Sequence, residues 1–85
     1  MADTITFHLR NDQMTDVNVS VLDARNGSLV LDTVPLNQGD SVDVQVIADS
    51  SGRGAARWVF ASSDGSVNSQ KQQTDIQDGD NCTLG

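Results

Sequence analysis

The sequence predicts an all-β fold, a small antiparallel β-sandwich of jelly-roll or Ig-like type with about seven short strands and a pseudo-twofold internal repeat. The acidic residues are all Asp, and Val, Ser, Thr, Asn and Gln are frequent, a composition that favours strands and turns over helices. Apolar and polar residues alternate in several short segments. A unit with a central Gly-Asp pair also occurs twice without a gap, at 36–44 and 76–84. We refer to it as the Gly-Asp unit.

The first half of the chain contains the clearest strand signals. Strict alternation predicts a strand at 4–10 and a second at 15–23. The Asn-Gly pair at 26–27 predicts a type I′ hairpin turn, because that turn needs φ > 0 at both central residues. The partner strand follows at 28–34, and Pro35, which cannot donate to a strand ladder, is expected to mark its end.

The second half repeats this order. Further strands are predicted at 41–48, 55–62, 67–74 and 81–84. The segment 67–74 is polar on both faces, which predicts an exposed edge strand or a partly irregular segment. The chain therefore reads as one domain, 1–85, with repeat copies at about 15–48 and 55–85 preceded by the strand at 4–10.

Charge and composition exclude several function classes. The formal net charge is −7 with only five basic residues, which disfavours binding to nucleic acid or to an anionic membrane surface. The longest apolar run, 58–61, is too short to enter a bilayer as a span. The first residues have neither a basic nor an apolar segment of the kind found in signal peptides, so we expect synthesis in the cytoplasm.

The residues that could carry chemistry are few. His8 is the only histidine and lies mid-strand on a polar face, with no nucleophile placed beside it, so we expect no enzyme. One Cys and one His cannot supply a structural zinc site, and we predict no metal and no cofactor. Cys82 is expected to fill the core, and the alternative is an intermolecular disulfide or a reactive thiol.

Two further features have a structural and a functional interpretation. Trp58 is expected in the core, although an exposed Trp could stack on a sugar ring. Asp75, Asp78, Asp80 and Asn81 form an oxygen-rich segment that could supply calcium ligands, but their spacing does not match the EF-hand loop. Because the first Gly-Asp unit lacks the extra carboxylates, the turn itself does not require them.

The loop 49–54 is the predicted contact site. Arg53 lies between two glycines, which would place an always-charged donor on a flexible loop, suited to a carboxylate or phosphate of a partner. We therefore predict Asp49, Ser51 and Arg53 as partner-binding residues.

The predicted function is that of a non-catalytic structural or adaptor module. It would act through protein–protein contacts, by self-association or within a larger assembly such as a virus particle. Three observations motivate this prediction: the scarcity of catalytic residues, the small core that a chain this short can form, and the polar edge at 67–74. The alternative is a lectin-like carbohydrate-binding module, assisted by calcium at 78–81.

Overall fold

The protein is all-β, as predicted. A computed structural model describes residues 3–85, and within them the chain forms seven strands in two sheets and no helix. The strands are β1 (Thr4–Arg10), β2 (Val17–Asp23), β3 (Leu29–Leu36), β4 (Ser41–Ile47), β5 (Gly54–Ala61), β6 (Asn68–Ile76) and β7 (Asn81–Thr83). Residues 3–85 accordingly contain no helix long and apolar enough to span a membrane.

The two sheets have a regular strand order. One sheet has three strands in the order β4-β1-β7, and the other has four in the order β3-β2-β5-β6. Neighbouring strands are antiparallel except β1 and β7, which are parallel. Each order reads the same in reverse when β2 is exchanged with β5, β3 with β6, and β4 with β7. β1, the central strand of the three-stranded sheet, therefore lies between β4 of the first repeat copy and β7 of the second.

A single hydrophobic core joins the sheets. Alternate residues of β1 and β4 from one sheet and of β2 and β5 from the other are buried in it. Phe7 and Trp58 meet across it, with ring centroids 6.2 Å apart. Trp58 is fully buried, and its Nε1 donates to the carbonyl of Leu84 at 3.0 Å. The prediction that Trp58 belongs to the core is confirmed.

The first Gly-Asp unit binds the chain just after β1, at Asn11, and the second binds the middle of β1, at Thr6 and His8. The N–H of Gly39 donates to the carbonyl of Asn11 at 3.1 Å, and the N–H of Gly79 donates to the carbonyl of Thr6 at 2.8 Å. In each unit the carbonyl of the following Asp also accepts a hydrogen bond. Asp40 accepts from the N–H of Asn11, and Asp80 accepts from the N–H of His8. Both glycines have positive φ, +82° and +85°, which only Gly adopts without strain. The repeated unit therefore serves to hold β1 in its sheet.

Two local predictions are wrong. Of the pair 26–27, only Gly27 has positive φ, and the hairpin closes through the N–H of Asp23 and the carbonyl of Ser28. That is a four-residue loop and not a type I′ turn. Pro35 does not end β3, which continues to Leu36. Pro35 lies opposite Asn18 on an edge strand, where a missing N–H leaves no ladder bond unmade.

Candidate functional site

The predicted contact loop is closed by its own hydrogen bonds. Asp49 Oδ1 accepts bonds from the N–H and Oγ of Ser51 and from the N–H of Arg53, at 2.7–3.0 Å. Its other oxygen pairs with Arg25 at 2.9 Å. Hydrogen bonds from the N–H of Arg53 and then from the hydroxyl of Ser51 lower the pKa of Asp49 to about 2. All three predicted contact residues thus take part in the loop's own hydrogen bonds, and their part in binding stays a prediction.

The acidic segment near the second Gly-Asp unit is also used locally. Asp78 Oδ1 accepts the N–H of Thr6 at 2.9 Å, and Asp80 Oδ2 accepts the N–H of Gln77 at 2.9 Å. Within residues 3–85, no three His, Cys, Asp or Glu side chains cluster as a metal would need. These carboxylates therefore stabilise the turn and its contact with β1.

The histidine and cysteine lie on the small sheet without forming a nucleophile–base pair. His8 Nδ1 lies 2.5 Å from Asp43 Oδ1, which is the only side-chain partner of the ring among the described residues. An open pocket of about 290 Å³ is lined by His8 together with Arg10 and Thr83, among others. Cys82 is buried, and burial, with the charge of Asp80 second, raises the pKa of its thiol. A raised pKa and burial both make a thiol unreactive.

The burial of Trp58 bears on the lectin-like alternative. Its indole ring is covered by the core, and the ammonium of Lys71 lies 6.0 Å from the ring centroid. No face of the ring is therefore open to stack on a sugar. A carbohydrate site in this protein would have to be built from polar groups without this residue.

The most distinctive surface feature is the open edge of the four-stranded sheet formed by β6. The prediction that 67–74 forms an exposed edge strand is confirmed, since β6 pairs with β5 alone. Its register with β5 is unbroken from Asn68, opposite Ala61, to Gln73, opposite Ala56. The register shifts only beyond Gln73, where Asp75 has a φ of 57°.

The register identifies the backbone groups that face away from the sheet. Residues of an antiparallel pair alternate between exchanging hydrogen bonds and pointing their N–H and C=O away from each other. The N–H of Ser62 donates to Val67 at 2.8 Å, which fixes this alternation in the β5–β6 ladder. The backbones of Asn68, Gln70 and Gln72 consequently face the open edge. We name these three residues the β6 edge triad.

The other edges of the two sheets are blocked. β3 has two register shifts, a φ of 51° at Thr33, and Pro35 near its end. On β4, the outward N–H of Ile47 already donates to Asp23 at 2.8 Å, and Asp43 places a charge at mid-strand. β7 has only three residues. Bulges, Pro, inward carboxylates and short strands are the devices by which sheets avoid edge pairing.

The surroundings of the β6 edge triad are less acidic than the rest of the chain. Arg57 Nη2 donates to Gln70 Oε1 at 2.6 Å, and Lys71 Nζ donates to the carbonyl of Gly85 at 3.0 Å. An open concavity of about 410 Å³ is lined by Arg57, Gln70, Lys71 and Gln72. From 68 to 74 the strand has one positive and no negative side chain, although the whole chain carries a net charge of −7.

Sequence reasoning found this segment but not its backbone geometry. The polar character of 67–74 was the available signal, and the strand order was needed to show that the other edges are blocked. No family model matches the chain, and no match is found among curated proteins or solved structures.

Proposed function

We propose that the protein is a non-catalytic structural or adaptor module that acts through protein–protein contacts made by the β6 edge. It would do so in a homo-oligomer or within a larger assembly such as a virus particle. The observation that carries the proposal is the contrast between β6, with its regular and uncharged edge triad, and the blocked edges of β3, β4 and β7.

Strand addition is the interaction that such an edge supports. The outward N–H and C=O groups of the β6 edge triad bond to water in an isolated chain, and a partner strand can replace that water. The triad side chains are amides, which can donate and accept hydrogen bonds with polar partners. A small domain with one free edge therefore has a ready surface for assembly.

The proposal also includes a finer assignment of the fold. We propose that the two sheets face each other as a sandwich of the Ig-like or jelly-roll type. The single core to which both sheets contribute, and the approach of Phe7 to Trp58 across it, support this arrangement.

The test is the mass in solution of the unmodified chain and of the variant Gln70→Pro. Proline removes the outward N–H of Gln70 while leaving the ladder to β5 intact, because that N–H points away from β5. With light scattering after size exclusion, we expect the mass of the unmodified chain to rise above 9.0 kDa with concentration. Gln70→Pro should stay at the monomer mass.

Gln45→Pro provides the matched control. Gln45 is likewise an exposed mid-strand Gln on an edge strand, β4, and its N–H also faces outward by the register with β1. Both variants carry the same cost of proline in a strand, and circular dichroism checks that both are folded. Association should persist in Gln45→Pro. An unmodified chain that stays monomeric over a hundred-fold concentration range, or association that only Gln45→Pro abolishes, would contradict the proposal.

A further inference from the structure

We infer that the partner of the β6 edge is the β6 edge of a second copy of this chain, paired antiparallel about a twofold axis at Gln70. This inference rests on the proposed function and adds the identity of the partner and the register of the contact. Three properties of the edge carry it: the spacing of its outward backbone groups, the pattern of its side chains, and the blocked edge at the other side of the sheet.

The spacing of the outward groups selects the register. A twofold axis at Gln70 places Gln70 opposite its own copy and Asn68 opposite Gln72 of the other copy. All members of the β6 edge triad are then in hydrogen-bonded pairs, and each pair exchanges both of its backbone bonds. An axis at Ser69 or Lys71 would leave one member opposite the hairpin loop or the irregular segment near Asp75.

The side chains in this register are self-complementary. On the outer face every directly opposed pair consists of two amides, and an amide both donates and accepts, so it can pair with its own kind. On the other face Lys71 lies opposite Ser69 of the second copy, an ammonium donor against a hydroxyl acceptor. No like charges are directly opposed. A strand with this pattern matches itself, while it offers no apolar pockets to a foreign apolar peptide.

The blocked edge at β3 limits the assembly to two chains. Pairing through β6 would join two four-stranded sheets into one continuous sheet with β3 at both ends. The bulges and Pro35 of β3 prevent it from accepting another strand, so growth stops. An interface that uses the same patch on both partners closes as a dimer, whereas a head-to-tail contact would extend into a fibre.

Site-specific disulfide cross-linking tests the register. In the inferred dimer the Cα atoms of the two residues at position 70 are about 5.5 Å apart, which lies inside the range that a disulfide bridges, about 4.4–6.8 Å. The two residues at position 72 are displaced along the strands by four residues, about 13 Å. With oxidised glutathione as the oxidant, Gln70→Cys should form a covalent dimer.

Gln72→Cys is the matched control, because it replaces the same residue type on the same face of the same strand. We expect it to form at least ten-fold less covalent dimer than Gln70→Cys at equal concentration. A mixture of Asn68→Cys and Gln72→Cys chains should form the mixed dimer. The unmodified chain, whose Cys82 is buried, gives the background.

The outcomes separate this inference from the proposed function. Association that Gln70→Pro abolishes, combined with equal cross-linking at 70 and 72 or none at either, would overturn the twofold register and leave β6 as the contact. Masses that grow beyond the dimer would overturn the closed assembly. A chain that is monomeric at every concentration would overturn both the inference and the proposed function.

Discussion

The two edge strands of the four-stranded sheet, β3 and β6, have the same place in the strand order and opposite surface properties. Each follows a central strand through a four-residue hairpin loop and leads into a Gly-Asp unit. β3 has register shifts and carries Pro35, which lacks an N–H at the open edge, while β6 pairs regularly over most of its length. The two strands thus differ in regularity although they occupy equivalent positions in the fold. This difference is the observation on which the proposed contact through β6 rests.

The core is also divided unequally between the halves, and this predicts the largest effect. Trp58 of β5 lies opposite Val21 of β2 at the centre of the sheet, and both are fully buried. Trp58→Ala should cost about 3–5 kcal/mol in the free energy of unfolding, because it leaves a large cavity. A small domain has little more stability than that to lose.

Val21→Ala is the comparison for this change, since it removes only two methyl groups from the same layer. Urea denaturation followed by circular dichroism measures both variants. We expect Val21→Ala to cost less than half as much as Trp58→Ala. Equal losses would show that the two halves share the core evenly, against the burial pattern.

A second inequality lies at the start of β5. Gly54 pairs with Ile76 as Val17 pairs with Leu36, so one half has no side chain where the other has a buried Val. A Cβ at Gly54 would lie 2.7 Å from Val46 Cγ2 and 2.9 Å from Ile5 Cδ1. Gly54→Ala should therefore destabilise the protein by about 1–3 kcal/mol through overpacking.

The sign of this effect is informative, because Ala in place of Gly usually stabilises a compatible position. Urea unfolding of Gly54→Ala measures it, with Val17→Ala as the opposite change at the paired position. Both variants should lose stability, one by crowding and one by a cavity. A gain in stability for Gly54→Ala would show that Ile5 and Val46 move aside at no cost.

The Gly-Asp units, by contrast, should respond alike. Gly39 and Gly79 have φ of +82° and +85°, and a Cβ at either would meet nothing within 4 Å. Gly39→Ala and Gly79→Ala should each cost about 1–2 kcal/mol, the strain of a left-handed backbone at an L-residue. Thermal unfolding should give equal losses, and Asn at either position should cost less because it tolerates this conformation. Clearly unequal losses would show that the two turns do not hold β1 equivalently.

The strands were predictable because alternation is a local signal. Each predicted strand lies within two residues of its observed limits, and β1, β2, β4 and β5 each bury one face of their own segment. Buried polar contacts between distant segments could not be predicted this way. Asn11 reads as a turn residue, but its amide donates to the carbonyl of Leu36 and is almost fully buried. Asp23 is predicted as the last residue of a strand, but its carboxylate accepts a hydrogen bond from the N–H of Ile47 in the other sheet.

The candidate site was likewise predictable only in part. Polarity on both faces of 67–74 predicted either an exposed edge strand or a partly irregular segment, and the strand order was needed to decide between them. The alternation that turns the backbones of the β6 edge triad outward follows from pairing with β5, and the blocked state of β4 depends on Asp23 from the other sheet. Both features depend on which strands are neighbours, and alternation within one segment does not reveal that. For Asp49, the sequence showed a charged loop residue but not the hydrogen bonds that close the loop around it.

The hairpins give the smallest expected effect and compare a charged turn residue with a neutral one. Asp64 Oδ1 accepts the N–H of Ser66, and Asn26 Oδ1 accepts the N–H of Ser28, in matching Asx-Gly-Ser sequences. Hydrogen bonds from the hydroxyl of Ser62 and then from Ser66 lower the pKa of Asp64 to about 2. The unfolded chain has an Asp pKa of about 3.9. The carboxylate therefore contributes stability that is complete above about pH 4–5 and is lost as the pH falls towards 2.

Asp64→Asn removes this titration while keeping an oxygen acceptor. Near pH 6 the unmodified chain should melt at a higher temperature than Asp64→Asn, and the gap should close between about pH 4 and pH 2. Asn26→Asp is the reciprocal change, and it should add an acid-labile gain in melting temperature at the first hairpin, where the acceptor geometry to Ser28 already exists. Parallel curves of melting temperature against pH for all three chains would mean that the charge on Asp64 adds nothing to its turn. The charged and the neutral turn residue would then be equivalent in their contribution to stability, and the edges β3 and β6 would remain the main difference between the halves.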